Sequence, residues 1–269
     1  MPETRGQELR LRIVSALVLA AVGIGGAVVG GWPFAILVAA VAVVAAREWG
    51  SLVGRRHEIA HLGRWATVAA AAAAILGVVF AKLDLTLVGL IGIVVIALTA
   101  GALGEGRRWP SRWLALGVVY IALTPLLLVW IRERGPDGAV YVLFLFAVVW
   151  ATDTLAYFAG RMIGGPRLAP VWSPNKTWAG LAGGMAGAGI AGGLVAAAFA
   201  LPFVGGAVML GAVLGLLAQG GDLFESRFKR LAHTKDASLL IPGHGGALDR
   251  LDGLMFATPA FAGFVALHP

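Results

Sequence analysis

The chain has 269 residues, of which 59% are hydrophobic and only 13% charged, about half the charged fraction of a soluble domain, and its mean hydropathy is +0.87. These values exclude a soluble enzyme, a disordered tail and a fibrous protein, and leave an integral membrane protein. The net charge of +7 admits nucleic acid, anionic lipid, an anionic substrate or membrane topology as its cause, while the absence of cysteine excludes a disulfide framework, a thiolate nucleophile and a thiolate metal site.

The first apolar run, 13–30, follows Arg5, Arg10 and Arg12. No polar stretch follows it as it would after a signal-peptide cleavage site, so it reads as a transmembrane helix that stays in place. Trp32 and Pro33 lead into a second run ending at Arg47, and further spans are expected at 65–81, 85–104, 113–131, 139–160, 178–200, 203–221 and 252–267. The runs are continuous rather than alternating, which argues against a β-barrel, and many are rich in Ala and Gly, as in helices that approach closely. The expected fold is an all-α polytopic membrane protein of about nine transmembrane helices. It forms one domain, 1–269, with a generic helical part at 1–147 and a catalytic part at 148–269.

Sorting the basic residues by side gives the orientation. With the N-terminus inside, eighteen fall in inner segments and only Lys82, Arg132 and Arg134 fall outside. The bias predicts an N-terminus in the cytoplasm, a C-terminus outside and residence in the cytoplasmic membrane. It also accounts for most of the +7. Nucleic acid is not expected as a partner, because the basic residues are spread over every inner loop rather than gathered on one face with stacking aromatics.

Asp153 lies inside the sixth span, about 12 Å from Arg161 along a helix. An acid within the bilayer is costly; it either marks a substrate or ion path or is a buried carboxylate paired with Arg161 or Lys176, whereas the neighbouring Thr152 and Thr154 read as back-bonded helix hydroxyls. In the following loop Gly164, Gly165, Pro166, Pro170 and Pro174 argue against regular structure up to Thr177. Ser173 is the expected N-cap of the seventh span, and Lys176 at its start is suited to an anion.

The segment 220–253 carries five acids, Asp222, Glu225, Asp236, Asp249 and Asp252. On one helix Asp222, Ser226, Lys229 and His233 fall at i, i+4, i+7 and i+11 and share a face. Gly243, His244, Gly245 and Gly246 precede Asp249 and Arg250 where the chain re-enters the membrane. Asp222 and Asp249 are hard oxygen ligands suited to Mg²⁺, which binds through one or two carboxylates plus substrate phosphates. The lysines, the arginine fork and the Gly-rich turn suit phosphate oxygens. Together they describe metal-assisted phosphoryl or nucleotidyl transfer.

At these residues the sequence resembles the phosphatidate cytidylyltransferase (CDP-diacylglycerol synthase) family. The resemblance is carried by Ser226, Phe228, Lys229-Arg230, Lys235-Asp236, Pro242, His244-Gly245-Gly246 and Asp249-Arg250-Leu251-Asp252, with the family's spacings intact. Upstream elements match at Asp153-Thr154, Ala156-Tyr157, Gly160-Arg161, Ser173-Pro174, Lys176-Thr177-Trp178 and Gly180, and Glu48-Trp49 after the second span is similar to the family pattern. Ala179 departs from it, standing where the family usually has Glu.

The resemblance implies the reaction of CTP with phosphatidate to give CDP-diacylglycerol and pyrophosphate, in a membrane-embedded site facing the cytoplasm. It implies a second cation such as K⁺ beside the Mg²⁺ expected on Asp222 and Asp249, and a homodimer. Lys229, Arg230, Lys235, Lys176 and Arg250 are expected to neutralise the triphosphate and the lipid phosphate, with Gly245 and Gly246 admitting them. Asp153, Ser226, His244 and Asp252 complete a polar shell. Two other readings are a CTP-dependent enzyme acting on an ether-lipid phosphate or polyprenol, and an ion-coupled transporter using Asp153 and Asp222. Against the transporter stand the lack of an inverted repeat and the position of the polar residues at the membrane edge.

Overall fold

The computed structural model describes residues 5–57, 60–103, 110–238, 240 and 245–268. Each predicted span is found as a helix. In chain order these are α1 (Arg5–Val29), α2 (Gly31–His57), α3 (Ala60–Lys82), α4 (Thr86–Leu103), α5 (Pro110–Arg132), α6 (Gly138–Met162), α7 (Trp178–Ala198), α8 (Ala207–Leu231) and α9 (Leu248–Leu267), with strands β1 (Arg167–Ala169) and β2 (Ser173–Thr177) between α6 and α7. Seven of the helices are long and apolar enough to cross a membrane, and the apolar stretches Ile13–Val29 and Thr86–Ala102 are shorter. The chain is therefore an all-α, multi-pass membrane protein.

Several helices outrun the apolar runs that announced them. The second run ends at Arg47, yet α2 continues to His57, and α8 continues past Gly221 to Leu231. Leu, Arg, Lys and Glu are good helix formers, so the helices extend beyond their apolar segments and carry charged residues on regular scaffolds.

The chain divides into two compact units. One comprises the residues through Trp130 together with Ala232–Leu251, and the other Ile131–Leu231 with Asp252–Pro269. In the first, Gly50 and Gly54 of α2 meet Gly63 of α3 backbone to backbone, where a Cβ on Gly63 would stand 3.2 Å from Gly54 Cα. Trp49 is fully buried, with ring centroids 5.4 Å from Tyr120 and 6.4 Å from Trp113, and its Nε1 donates to Trp113 O at 3.3 Å.

In the second unit, glycines again set the spacing. A Cβ at Gly180 would lie 3.0 Å from Ala156 O, one at Gly184 would lie 3.1 Å from Thr152 O, and one at Gly187 would press on Leu155. Thr152 and Thr154 donate to Val148 O and Trp150 O, each at 2.8 Å, as expected of back-bonded hydroxyls. An aromatic cluster of Tyr141, Phe144, Phe203 and Phe261 fills the far end.

The loop after α6 departs from expectation. Residues 167–177 form an antiparallel hairpin, with Arg167 opposite Thr177 and Ala169 opposite Ser173. Its prolines are tolerated because a two-stranded ribbon consists only of edges: Pro166 precedes β1, Pro170 lies in the turn, and Pro174 takes an edge position. Gly164 and Gly165, at φ +69° and +92°, turn the chain out of α6 in the region where glycine alone is unstrained. Ser173 is thus a strand residue. The N-cap of α7 is Thr177, whose Oγ1 accepts from Gly180 N at 3.0 Å.

Candidate active site

In the second unit the polar residues of α8 face the end of β2. Lys176, placed by the hairpin, meets Asp222 with Nζ 2.6 Å from Oδ2 and lies 3.5 Å from Gln219 O. Gln219 is buried and its Nε2 donates to Leu181 O at 3.1 Å, tying α8 to α7 beside this pair. One turn further along α8, Ser226 Oγ donates to Asp222 Oδ1 at 3.2 Å. Both oxygens of Asp222 are therefore engaged, one by a cation and one by a hydroxyl.

Lys229 sits on an adjacent stripe of α8. Its Nζ lies 3.2 Å from Oε2 of Glu225, whose side chain is fully buried. Asp252 of α9 lies within electrostatic reach of Asp222, Glu225 and Asp153. Carboxyl groups from α6, α8 and α9 thus converge, with Lys176 and Lys229 as counter-charges. The close approach of α8 and α9 is permitted by Gly221, where a Cβ would run into Asp252 O, and by Gly253, where it would stand 3.3 Å from Ala218 Cβ. Arg230 Nε donates to Trp172 O at 3.5 Å, and Arg227 stacks over the Trp172 ring at 4.9 Å. These contacts fix the hairpin turn against the end of α8.

The helical face expected through Asp222, Ser226, Lys229 and His233 is shorter than predicted. α8 ends at Leu231, and His233 lies beyond it, exposed, with φ +54°. A residue in the left-handed region stops the helix, so His233 leaves the shared face. Lys235 is exposed in the following turn, where Thr234 Oγ1 donates to Asp236 O at 3.1 Å. His244 lies outside the described residues.

In the first unit Asp249 occupies the opening turn of α9. Its Oδ2 accepts from Gly246 N at 2.7 Å and from Ala237 N at 3.1 Å, so one carboxylate oxygen gathers the two ends of the 237–246 segment. Gly245 has φ +82°, and a Cβ there would meet Asp249 Oδ2 at 2.8 Å; a Cβ on Gly246 would meet Glu48 Oε2 at 2.6 Å. The glycine pair makes room for two carboxylates. Arg250, next in the turn, is exposed.

Glu48 is the residue that site reasoning from the sequence missed. It is buried, with 5% exposure, at the end of the apolar part of α2. Its Oε2 accepts from Leu248 N at 2.7 Å, and its Oε1 accepts from Ala247 N at 3.0 Å and from Ser238 Oγ at 2.5 Å. The first N–H groups of a helix have no intrahelical acceptor, and here a carboxylate from another helix supplies it at the positive end of the α9 dipole. The signal was available in the cost of an acid at the end of an apolar run, the same argument that singled out Asp153.

Among the described residues, no group of three or more His, Asp or Glu side chains is arranged to hold a metal ion. The donors present are carboxylate oxygens, and Mg²⁺ takes one or two of these and completes its shell with water and phosphate. The chemistry of Asp222 and of Asp249 fits such an ion.

A family model described as the cytidylyltransferase family matches residues 10–268. Among curated proteins, the chain is 39% identical over 253 residues to a phosphatidate cytidylyltransferase of Brucella abortus, covering 93% of this chain and 90% of the relative. It is 42% identical over 266 residues to one of Pseudomonas aeruginosa, covering 94% and 96%, and 36% identical over 177 residues to one of Staphylococcus saprophyticus, covering 65% and 68%. A family match spanning nearly the whole sequence, and relatives covered over most of their length, lead to one conclusion: this chain belongs to the cytidylyltransferase family.

Proposed function

We propose that this protein transfers the cytidylyl group of CTP to phosphatidate within the cytoplasmic membrane, releasing pyrophosphate. The observation that carries the reading is the Lys176–Asp222 ion pair at 2.6 Å. It joins a hairpin lysine to Asp222, a carboxylate one helical turn before Ser226, where the signature resembling the phosphatidate cytidylyltransferase family begins, and so supports a reading in which phosphate-binding and metal-binding groups act together.

In the proposed reaction a phosphate oxygen of the lipid forms a bond to the α-phosphorus of CTP. The bond from that phosphorus to the bridging oxygen of the β-phosphate breaks, and pyrophosphate leaves with the electron pair. A phosphomonoester has its second pKa near ~6 and is largely dianionic at neutral pH, so the nucleophile needs no strong base. The work left to the protein is positioning and charge neutralisation.

Lys176, Lys229, Arg230, Lys235 and Arg250 supply the cationic groups in this scheme. Lys176 and Lys229 pair with Asp222 and Glu225, and in this scheme phosphates exchange with those carboxylates. Asp222 and Asp249 are the proposed Mg²⁺ ligands, with K⁺ as the second cation, and bound Mg²⁺ would supply charge neutralisation for the triphosphate. Ser226, Asp153, Asp252 and His244 form the proposed polar surround, and Gly245 and Gly246 give room beside Asp249.

The proposed orientation, N-terminus inside and site toward the cytoplasm, rests on the distribution of basic residues. A single cysteine at Ser238, in a chain with no other, is expected to resist an impermeant maleimide applied from outside; labelling of intact cells there would reverse the topology. The proposed homodimer is read by the mass of the detergent-solubilised protein.

Pyrophosphate release by the purified protein tests the reaction. It is expected only when CTP, phosphatidate and Mg²⁺ are all present. Release with an ether-lipid phosphate or polyprenol in place of phosphatidate, and none with phosphatidate, would change the acceptor; solute flux into liposomes without CTP would replace the enzyme reading with a transporter.

A further inference from the structure

A hollow of about 450 Å³ lies between α2 and α3, lined by Arg47, Ser51 and Arg55 from one helix and Arg64 and Thr67 from the other. Its floor is Gly50, Gly54 and Gly63, the residues at which the two helices touch. Arg47, Ser51 and Arg55 stand at i, i+4 and i+8, so they line one face of α2. The hollow is what remains when glycines without side chains face arginines with long ones.

Among the described residues no carboxylate lines this hollow, and none pairs with Arg47, Arg55 or Arg64. The acid next in sequence, Glu48, is turned away, with both oxygens committed to Ser238, Ala247 and Leu248. Three guanidinium groups around one cavity are suited to a phosphate, whose oxygens match the guanidinium fork, while Ser51 brings a hydroxyl. Trp65, beside Arg64, is 65% exposed, as is common for tryptophan at the level of lipid headgroups.

We infer that the α2–α3 hollow is a binding site for a phosphate-bearing anion, held by Arg47, Arg55 and Arg64. The simpler account of these arginines is membrane topology, and it differs in one respect: topology requires only positive charge, which lysine supplies equally, whereas a phosphate clamp requires the planar fork. The inference does not depend on the nucleotidyl-transfer reading, since it is tested by binding alone.

The chain has no native cysteine, so Ser51→Cys makes a single reporter in the hollow of the intact protein, with Thr67→Cys as a second reporter from α3 and Leu83→Cys as an exposed control. Labelling by a soluble maleimide is measured in detergent micelles with added phosphatidylglycerol, and separately with added inorganic phosphate. Occupancy should slow labelling at 51 and 67 by about tenfold and leave position 83 unchanged. Protection by phosphatidylglycerol alone identifies a lipid headgroup as the source, and protection by inorganic phosphate identifies a free anion. The triple change R47K/R55K/R64K should restore rapid labelling. Unchanged rates with both probes, or full protection in the triple lysine variant, would overturn the site.

Discussion

Carboxylates in the two units are held by different kinds of partner, and the difference separates what is fixed from what is exchangeable. In the first unit Glu48 and Asp249 accept from the backbone N–H groups of Ala247, Leu248, Gly246 and Ala237. Those donors are parts of the main chain, and no arriving ligand can displace them without unfolding the turn. In the second unit Asp222 and Glu225 are held by Lys176 and Lys229, whose long side chains carry a mobile charge that a phosphate can attract away. One arrangement builds a rigid start for α9; the other leaves its cations on side chains that can exchange partners.

The comparison breaks first at the proposed metal ligands. Asp222→Asn and Asp249→Asn should each lower CDP-lipid formation by about 100-fold or more, while size-exclusion profiles stay those of the folded protein; near-normal turnover in either variant would remove that residue from the metal assignment. Next, Lys176→Met should raise KM for the phosphate-bearing substrates by about tenfold, and Lys176→Arg should recover part of the loss. An unchanged KM would mean that the pair with Asp222 is purely structural.

The backbone-held side is sharpened by stability measurements. Glu48→Ala leaves the N–H groups of Ala247 and Leu248 without their acceptor, at a cost of about 1–3 kcal/mol, read as a lower melting temperature that Glu48→Gln restores in part. Equal stability of wild type and Glu48→Ala would show that water replaces the carboxylate. The smallest effect is expected from Thr177→Val, which removes the α7 cap and should cost about 1 kcal/mol with little change in KM; a large activity loss would assign the Thr177 hydroxyl to the substrate instead.

Much of this architecture was legible in the sequence because a bilayer leaves few options for long apolar runs. The same rule exposes Asp153 as an acid in need of a reason, and the density of acids in 220–253 does so for Asp222 and Asp249. The hairpin at 167–177 was missed because proline density reads as irregular chain, while a two-stranded ribbon tolerates proline on its edges. His233 was placed on the face of α8 by counting helical turns, and counting does not reveal that the helix stops at Leu231. Glu48 escaped for another reason: its partners Ser238, Ala247 and Leu248 lie 190 to 200 positions away, a pairing that no local pattern encodes.

The glycine contacts between α6 and α7 have a thermal consequence. At Gly160, Gly180 and Gly184 the neighbours a Cβ would meet are mainly backbone or short side chains, so little rotamer freedom is lost when the helices dock. Association through shape and dispersion does not draw on the ordering of water, the force that weakens as a protein is cooled. The helix pair that carries Asp153 and feeds Lys176 into place should therefore hold its spacing across the temperature range in which the surrounding lipid stays fluid.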